Sequence, residues 1–207
     1  MEILAVFNNC LSIGAILLAI LYGIGFTKFD KTYKIFTLYL IFIAVIQILL
    51  FVYAYKKVNN LFLFTYYFIG QFLFVSLFYF YLLKKKWMWI LTAIVMMGLI
   101  VQYILSPSSF INYNSIGVSV TQSIIVFYAL LYYYKSLSGK ADFLYVNAGI
   151  LLYFMTSILY FASGNLLMNL NLPKDTQNYI GLSNDIFYLL FLILMFIEWY
   201  RKYRVKK

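Results

Sequence analysis

Long apolar blocks, broken by short polar loops, occupy nearly the whole chain. A helix needs about 20 mostly apolar residues to cross a hydrocarbon core about 30 Å thick. By that measure seven spans are predicted, at residues 4–26, 34–55, 60–83, 87–105, 113–134, 142–167 and 178–200. The segments between them read FTKFDKTYK, KKVNN, KKK, SPSSFINYN, KSLSGKAD and MNLNLPKDTQ. Pro107 and Pro173 fall in these loops, where helices stop, and no span holds a proline to kink it. The predicted fold is an all-α membrane protein, a single seven-transmembrane helix bundle over residues 1–207, with no room for a second domain.

Charge predicts the orientation. The first, third and fifth loops and the C-terminal tail hold thirteen Lys and Arg, among them Lys84, Lys85, Lys86, Arg201 and Lys202. The opposite side holds three, Lys56, Lys57 and Lys174. The positive-inside bias then places the N-terminus outside and the C-terminus in the cytoplasm. Trp87, Trp89 and Trp199 fall at the basic boundary, where indole rings anchor. Glu2 stands where a signal peptide would carry basic residues, and the first span is too long for an h-region, so a retained helix is expected.

In that orientation the polar residues of the spans gather in their outer halves. Span 1 has Asn8, Asn9 and Ser12, span 2 has Gln47, and span 3 has Tyr67 and Gln71. Span 4 has Gln102, and span 5 has Ser115, Ser119 and Gln122. Span 6 has Ser157, Ser163 and Asn165, and span 7 has Asn178, Asn184 and Asp185. Several lie three and four residues apart and therefore share one helical face. Asn178, Gly181, Asp185 and Tyr188 form one such stripe, and Gly149, Tyr153, Ser157, Tyr160 and Gly164 another. Asn8, Ser12, Ala15, Ala19 and Gly23 form a third. Such faces point into the bundle, because lipid cannot satisfy polar groups.

Two readings compete. Small and amide side chains serve as packing glue between membrane helices. Alternatively, they line a pocket open to the outside. Glue need not prefer one leaflet, so the one-sided distribution favours the pocket. Its candidate ligand-binding residues are Asp185, Asn184, Tyr188, Gln122, Gln71, Gln47, Asn165, Ser157 and Asn8.

Asp185 is the only carboxylate well inside a predicted span, with no Lys or Arg at comparable depth and no His in the chain. An ionisable group there is a functional candidate by default. It reads either as a protonated donor to Asn or Gln, as the partner of a cationic or hydrogen-bonding ligand, or as a proton-transport group. Glu198, beside Trp199, Arg201 and Lys202, reads as an ordinary interfacial ion pair of little energetic weight.

Composition narrows the function. At 65% hydrophobic, 22% aromatic and 11% charged residues, a soluble domain is excluded. The +10 net charge sits in clusters between spans, and Lys outnumbers Arg fourteen to two, so nucleic acid is not expected as a partner. Cys10 is the only cysteine, which rules out an intrachain disulfide. Without His, serine–histidine hydrolysis, HExxH metal sites and His-ligated haem are excluded. An aspartyl dyad lacks its second acid at depth, and a retinal site lacks its Lys in span 7. The expectation is a non-enzymatic protein with no cofactor and no metal.

Three stretches carry a resemblance: YYFIGQFLFVSLFYFYLLKKKW (Tyr66 to Trp87), SIGVSVTQSIIVFYALLYYYKSL (Ser115 to Leu137) and YVNAGILLYFMTSILYFASGN (Tyr145 to Asn165). The third is the most specific, with Asn147, Gly149, Tyr153 and Asn165 at its marked positions. These stretches, about a third of the chain, resemble short bacterial seven-helix proteins similar to the membrane modules of seven-helix sensor kinases. Such proteins are often encoded beside histidine kinases. The resemblance implies a sensory or accessory role in the bacterial inner membrane. The expected partners are membrane lipids and a signalling protein such as a histidine kinase, with self-association left open. The alternative is a small-solute transporter or channel subunit using the same polar lining. A three-plus-one-plus-three helix topology fits that alternative, but spans 1–3 and 5–7 show no internal similarity. An assembly factor without a ligand is a third class.

Overall fold

The computed structural model describes residues 2–107, 110, 114–139, 141–162 and 174–204, apart from the side chains of 2–5, 162 and 174–178. Among the described residues seven helices are long and apolar enough to cross a membrane, and no strand occurs. They are α1 (Glu2–Ile24), α2 (Lys31–Tyr55), α3 (Leu61–Leu83), α4 (Trp87–Leu105), α5 (Ser115–Ser136), α6 (Leu144–Ala162) and α7 (Lys174–Glu198). A π-helical turn, Trp199–Tyr203, continues α7. This is the helical architecture of a multi-pass membrane protein.

The boundaries follow local chemistry. α2 starts three residues before its predicted position, because the Asp30 carboxylate accepts the N–H groups of Thr32 (3.3 Å) and Tyr33 (3.2 Å). A side-chain acceptor at the N-cap satisfies donors that the first helical turn leaves open. Asn114 does the same for α5, accepting from Gly117 N at 2.9 Å. α7 starts at Lys174 rather than 178, so the polar residues expected in the preceding loop form its first turn.

Each helix packs on the next around a ring in the order α1, α2, α3, α5, α6, α7 and back to α1. α4 stands outside this ring, against α3, and buries only Met88, Thr92 and Leu99. Its other side exposes Ile90, Ile94, Met97, Val101 and Ile104, which suits lipid. The core is aromatic, with Tyr22, Phe36, Phe72, Phe78, Tyr79, Phe143, Phe154 and Phe191 fully buried. α6 and α7 approach closely at Gly149, where an added Cβ would meet the Phe191 side chain at 2.5 Å and its Cα at 3.3 Å.

One polar tie crosses this core. Tyr79 Oη donates to Asn147 Oδ1 at 2.6 Å, and Asn147 Nδ2 donates to the Ala129 carbonyl at 3.2 Å, joining α3, α6 and α5. Tyr79→Phe leaves the amide oxygen without its donor. The expected cost is about 1–2 kcal/mol, the scale of a lost buried hydrogen bond in a membrane bundle. Thermal unfolding in mild detergent measures it. A variant that melts with the wild type would show that this bond contributes nothing net.

Glu198 departs from its sequence reading. It is 0% exposed, and it is not a surface ion pair. Its Oε1 accepts from Phe143 N (3.1 Å) and its Oε2 from Tyr145 N (2.8 Å), so the carboxylate of α7 caps the start of α6. Lys202 Nζ lies 3.3 Å from the same carboxylate and donates to the Ala141 carbonyl at 3.0 Å. Arg201 donates to the Tyr145 hydroxyl. Around this latch Tyr203 stacks on Phe143 at 5.0 Å and packs against Tyr33 and Phe29 at 4.7 and 5.1 Å. Tyr22 Oη donates to the Met195 carbonyl at 2.9 Å, binding α1 to α7 beside it. This end of the bundle, where α1 ends and α6 begins, is closed by rings.

Candidate functional site

Toward the opposite end the described residues leave a space between the helices. A partly open cavity of about 250 Å³ lies between five helices. α1 contributes Asn8, Leu11 and Ser12, and α2 contributes Gln47 and Leu50. α3 supplies Phe64 and Tyr67, and α6 supplies Tyr153 and Phe161. α7 supplies Asn184, Asp185 and Tyr188. The three residues from α7 sit within one helical turn, which is why a single helix presents both an acid and an amide to the space.

Ser12 Oγ lies 3.1 Å from Gln47 Oε1 and 3.1 Å from the Asn8 carbonyl, so its single proton is shared between α2 and its own helix. Aromatic pairs form the walls. Tyr153 and Tyr188 have ring centroids 5.2 Å apart, and Phe64 and Phe161 5.3 Å. Beneath, Tyr153 stacks on the buried Phe191 at 5.7 Å with an interplanar angle of 13°. Asp185 is half-buried and makes no hydrogen bond or ion pair with another described residue. No Lys or Arg lines the cavity among the described residues. Asn184 Oδ1 is buried without a hydrogen-bond partner among them. The same asparagine lines a neighbouring cleft of about 430 Å³ between α6 and α7, with Thr156, Tyr160 and Ser183.

Of the nine residues singled out in the sequence, Asn8, Gln47, Asn184, Asp185 and Tyr188 converge on this cavity. Gln71 does not line it. Its side chain is 1% exposed and lies behind the wall, where Nε2 donates to Tyr39 and Tyr67, both at 3.2 Å. It thereby anchors Tyr67, which does line the space. Gln122 and Ser157 are buried away from the cavity, and Gln122 Oε1 and Ser157 Oγ have no hydrogen-bond partner among the described residues. α5 contributes nothing to the lining, because α5 packs between α3 and α6 and the cavity is formed by the other ring members. Asn165 lies outside the described residues, and so does the side chain of Asn178.

Of the aromatic lining, the tyrosines Tyr67, Tyr153 and Tyr188 stood in the sequence among the outer-half and stripe residues, and only the phenylalanines were missed: Phe64 and Phe161 are two among 21 Phe, and nothing local distinguishes them. Ser12 and Tyr153 did stand on the predicted stripes. Two acceptors lacking donors among the described residues, shared hydroxyls and aromatic faces are chemistry that can hold a small ligand. Among the described residues no cluster of three metal-ligating side chains occurs. No protein-family model, no curated protein and no solved structure matches the chain.

Proposed function

We propose that this protein is a non-enzymatic sensor or signalling accessory of the bacterial inner membrane, with its cavity facing outward. The thirteen-to-three distribution of basic residues supports that orientation, with the ring-sealed end at the cytoplasm. A small polar solute enters the cavity and meets Asp185. The change is passed to a partner protein, such as a histidine kinase, at the basic end.

The observation that carries this reading is that one helix joins the two ends. α7 places Asp185 in the cavity and Glu198 in the latch, thirteen positions or about 20 Å further along. A shift of α7 at the cavity therefore acts directly on the cap of α6 and on the π-helical turn. π-turns recur at functional sites in helices. Transport is the second reading, and one observation favours it. A ring of α1–α3 and α5–α7 with α4 outside also suits a three-plus-one-plus-three carrier. Against it, the buried rings of Phe154, Phe191, Phe36 and Phe78 form an aromatic core beyond the cavity, where a carrier needs a polar route.

Trp199, in the π-turn, reports on the basic end once Trp87 and Trp89 are replaced by Phe, the background used throughout. The protein is reconstituted in vesicles and exposed to a panel of short amines, amino acids, sugars and carboxylates. Sensing predicts that one class shifts tryptophan emission without accumulating inside. Asp185→Asn is expected to abolish the shift. Saturable uptake of the same solute, or a shift unaffected by Asp185→Asn, would overturn the reading.

A further inference from the structure

We infer that the cavity takes a protonated alkylamine. This rests on the sensor reading for the site and adds the class of its ligand. The α7 residues Asn184 and Asp185 present two acceptors, the Asn184 Oδ1 atom and the Asp185 carboxylate, with no hydrogen-bond donor among the described residues. A carboxylate at this depth is normally answered by a partner. Nothing in the lining answers it, since no Lys or Arg is present among the described residues there. An ammonium group answers both needs, because it carries the opposite charge and donates N–H hydrogen bonds.

The walls select for the same group. Ring faces attract cations through their quadrupoles, and the Tyr153–Tyr188 and Phe64–Phe161 pairs flank the space. An anion is repelled by Asp185. A neutral polyol fills the hydrogen bonds but leaves the charge unpaired. Ser12 and Gln47 on the facing side suit a hydroxyl at the other end of the ligand. The volume of about 250 Å³ falls below the range of roughly 300–1,000 Å³ found for drug-sized ligands, so the ligand has few heavy atoms. A soluble short amine and the ethanolamine headgroup of a phospholipid share this chemistry.

The test uses the full chain in nanodiscs of phosphatidylglycerol, which carries no ammonium group. Ethanolamine is titrated calorimetrically, with ethylene glycol as its neutral counterpart. Ethanolamine is expected to bind saturably and ethylene glycol about tenfold more weakly or worse. Asp185→Asn keeps the shape and one acceptor oxygen but removes the charge, and should lose roughly thirtyfold or more in affinity, as expected when one partner of an enclosed charge pair is removed. Asp185→Glu should retain binding. Should Asp185→Asn fail to fold, Tyr188→Leu removes one ring of the wall and should weaken ethanolamine by a severalfold larger factor than ethylene glycol. Equal binding of the two solutes, absence of ethanolamine binding, or an unchanged Asp185→Asn affinity overturns the inference. Repeating the titration in phosphatidylethanolamine discs identifies the source: weakened binding assigns the ammonium to the headgroup, unchanged binding to the soluble amine. Ethanolamine binding without a Trp199 response would sink the sensor reading and leave this one standing. A Trp199 response to neutral solutes alone would do the reverse.

Discussion

Glu198→Ala should be the most destabilising single polar substitution among the described residues, by about 3–5 kcal/mol, the scale on which buried ion networks fail when one member is removed. The carboxylate is fully buried and accepts two backbone N–H groups at the start of α6. Alanine leaves both donors sealed in without an acceptor and strips Lys202 of its 3.3 Å partner. It also removes a negative charge from a helix N-terminus, where the helix dipole favours one. A second cost follows from Phe143, whose φ of 59° is left-handed. That conformation costs a non-glycine residue about 1–2 kcal/mol. Here it is held by the bond to Glu198 and by ring packing on Phe36, Phe78 and Tyr203. Glu198→Gln retains one acceptor oxygen and should lose less, about 1–3 kcal/mol. Thermal melts of the three proteins in one detergent give the order. If the alanine variant melts with the wild type, water reaches this carboxylate and the latch does not hold α6.

Gly149→Val is expected to lower stability by about 1–3 kcal/mol or more, the cost of overpacking a filled core. Even a bare Cβ would sit 2.5 Å from Phe191 Cδ2, and the nearby Phe191 Cα leaves the ring little room to withdraw. Valine adds two further methyl groups in the same gap. The clash reaches the cavity, because Phe191 stacks on Tyr153 and Tyr153 packs on Tyr188. Weaker ligand binding should therefore accompany the stability loss. A compensating change makes the cause testable. Phe191→Leu trims the ring and should recover part of the stability in the double variant, although it destabilises the wild type. If the two substitutions simply add, the damage at Gly149 does not run through Phe191.

The helices were legible in the chain because lipid allows no other solution for an unpartnered backbone. Seven apolar runs became seven helices, and the starts that moved by three residues or more did so where Asp30 caps α2 and where α7 takes up Lys174. The site was legible in part. Spacing of three and four identifies a shared face, which brought Asp185 and Tyr188 together, with Asn184 beside them. It does not say which neighbour that face meets. Gln71 shared the polar leaflet but found Tyr39 and Tyr67 behind the wall, and Gln122 stands on a helix that the cavity does not touch. Glu198 was legible only as a residue four positions before Lys202, a spacing that fits an exposed pair equally well. Its real partners, Phe143 and Tyr145, lie more than fifty residues away in the chain.

The sequence by itself determined an all-helical, membrane-crossing chain, the marked asymmetry of its charge, and an acid in one half of the last helix. Those properties are local, each following from hydropathy and charge read over a window about one membrane thick. Only the tertiary structure decided the ring order, the exclusion of α4, the aromatic walls around Asp185 and the burial of Glu198. The physical reason is that greasy helix faces resemble one another and lipid supplies no hydrophobic force to sort them. Which faces meet is settled by close fit at positions such as Gly149 and by a few long-range hydrogen bonds, and neither leaves a periodic mark in the chain.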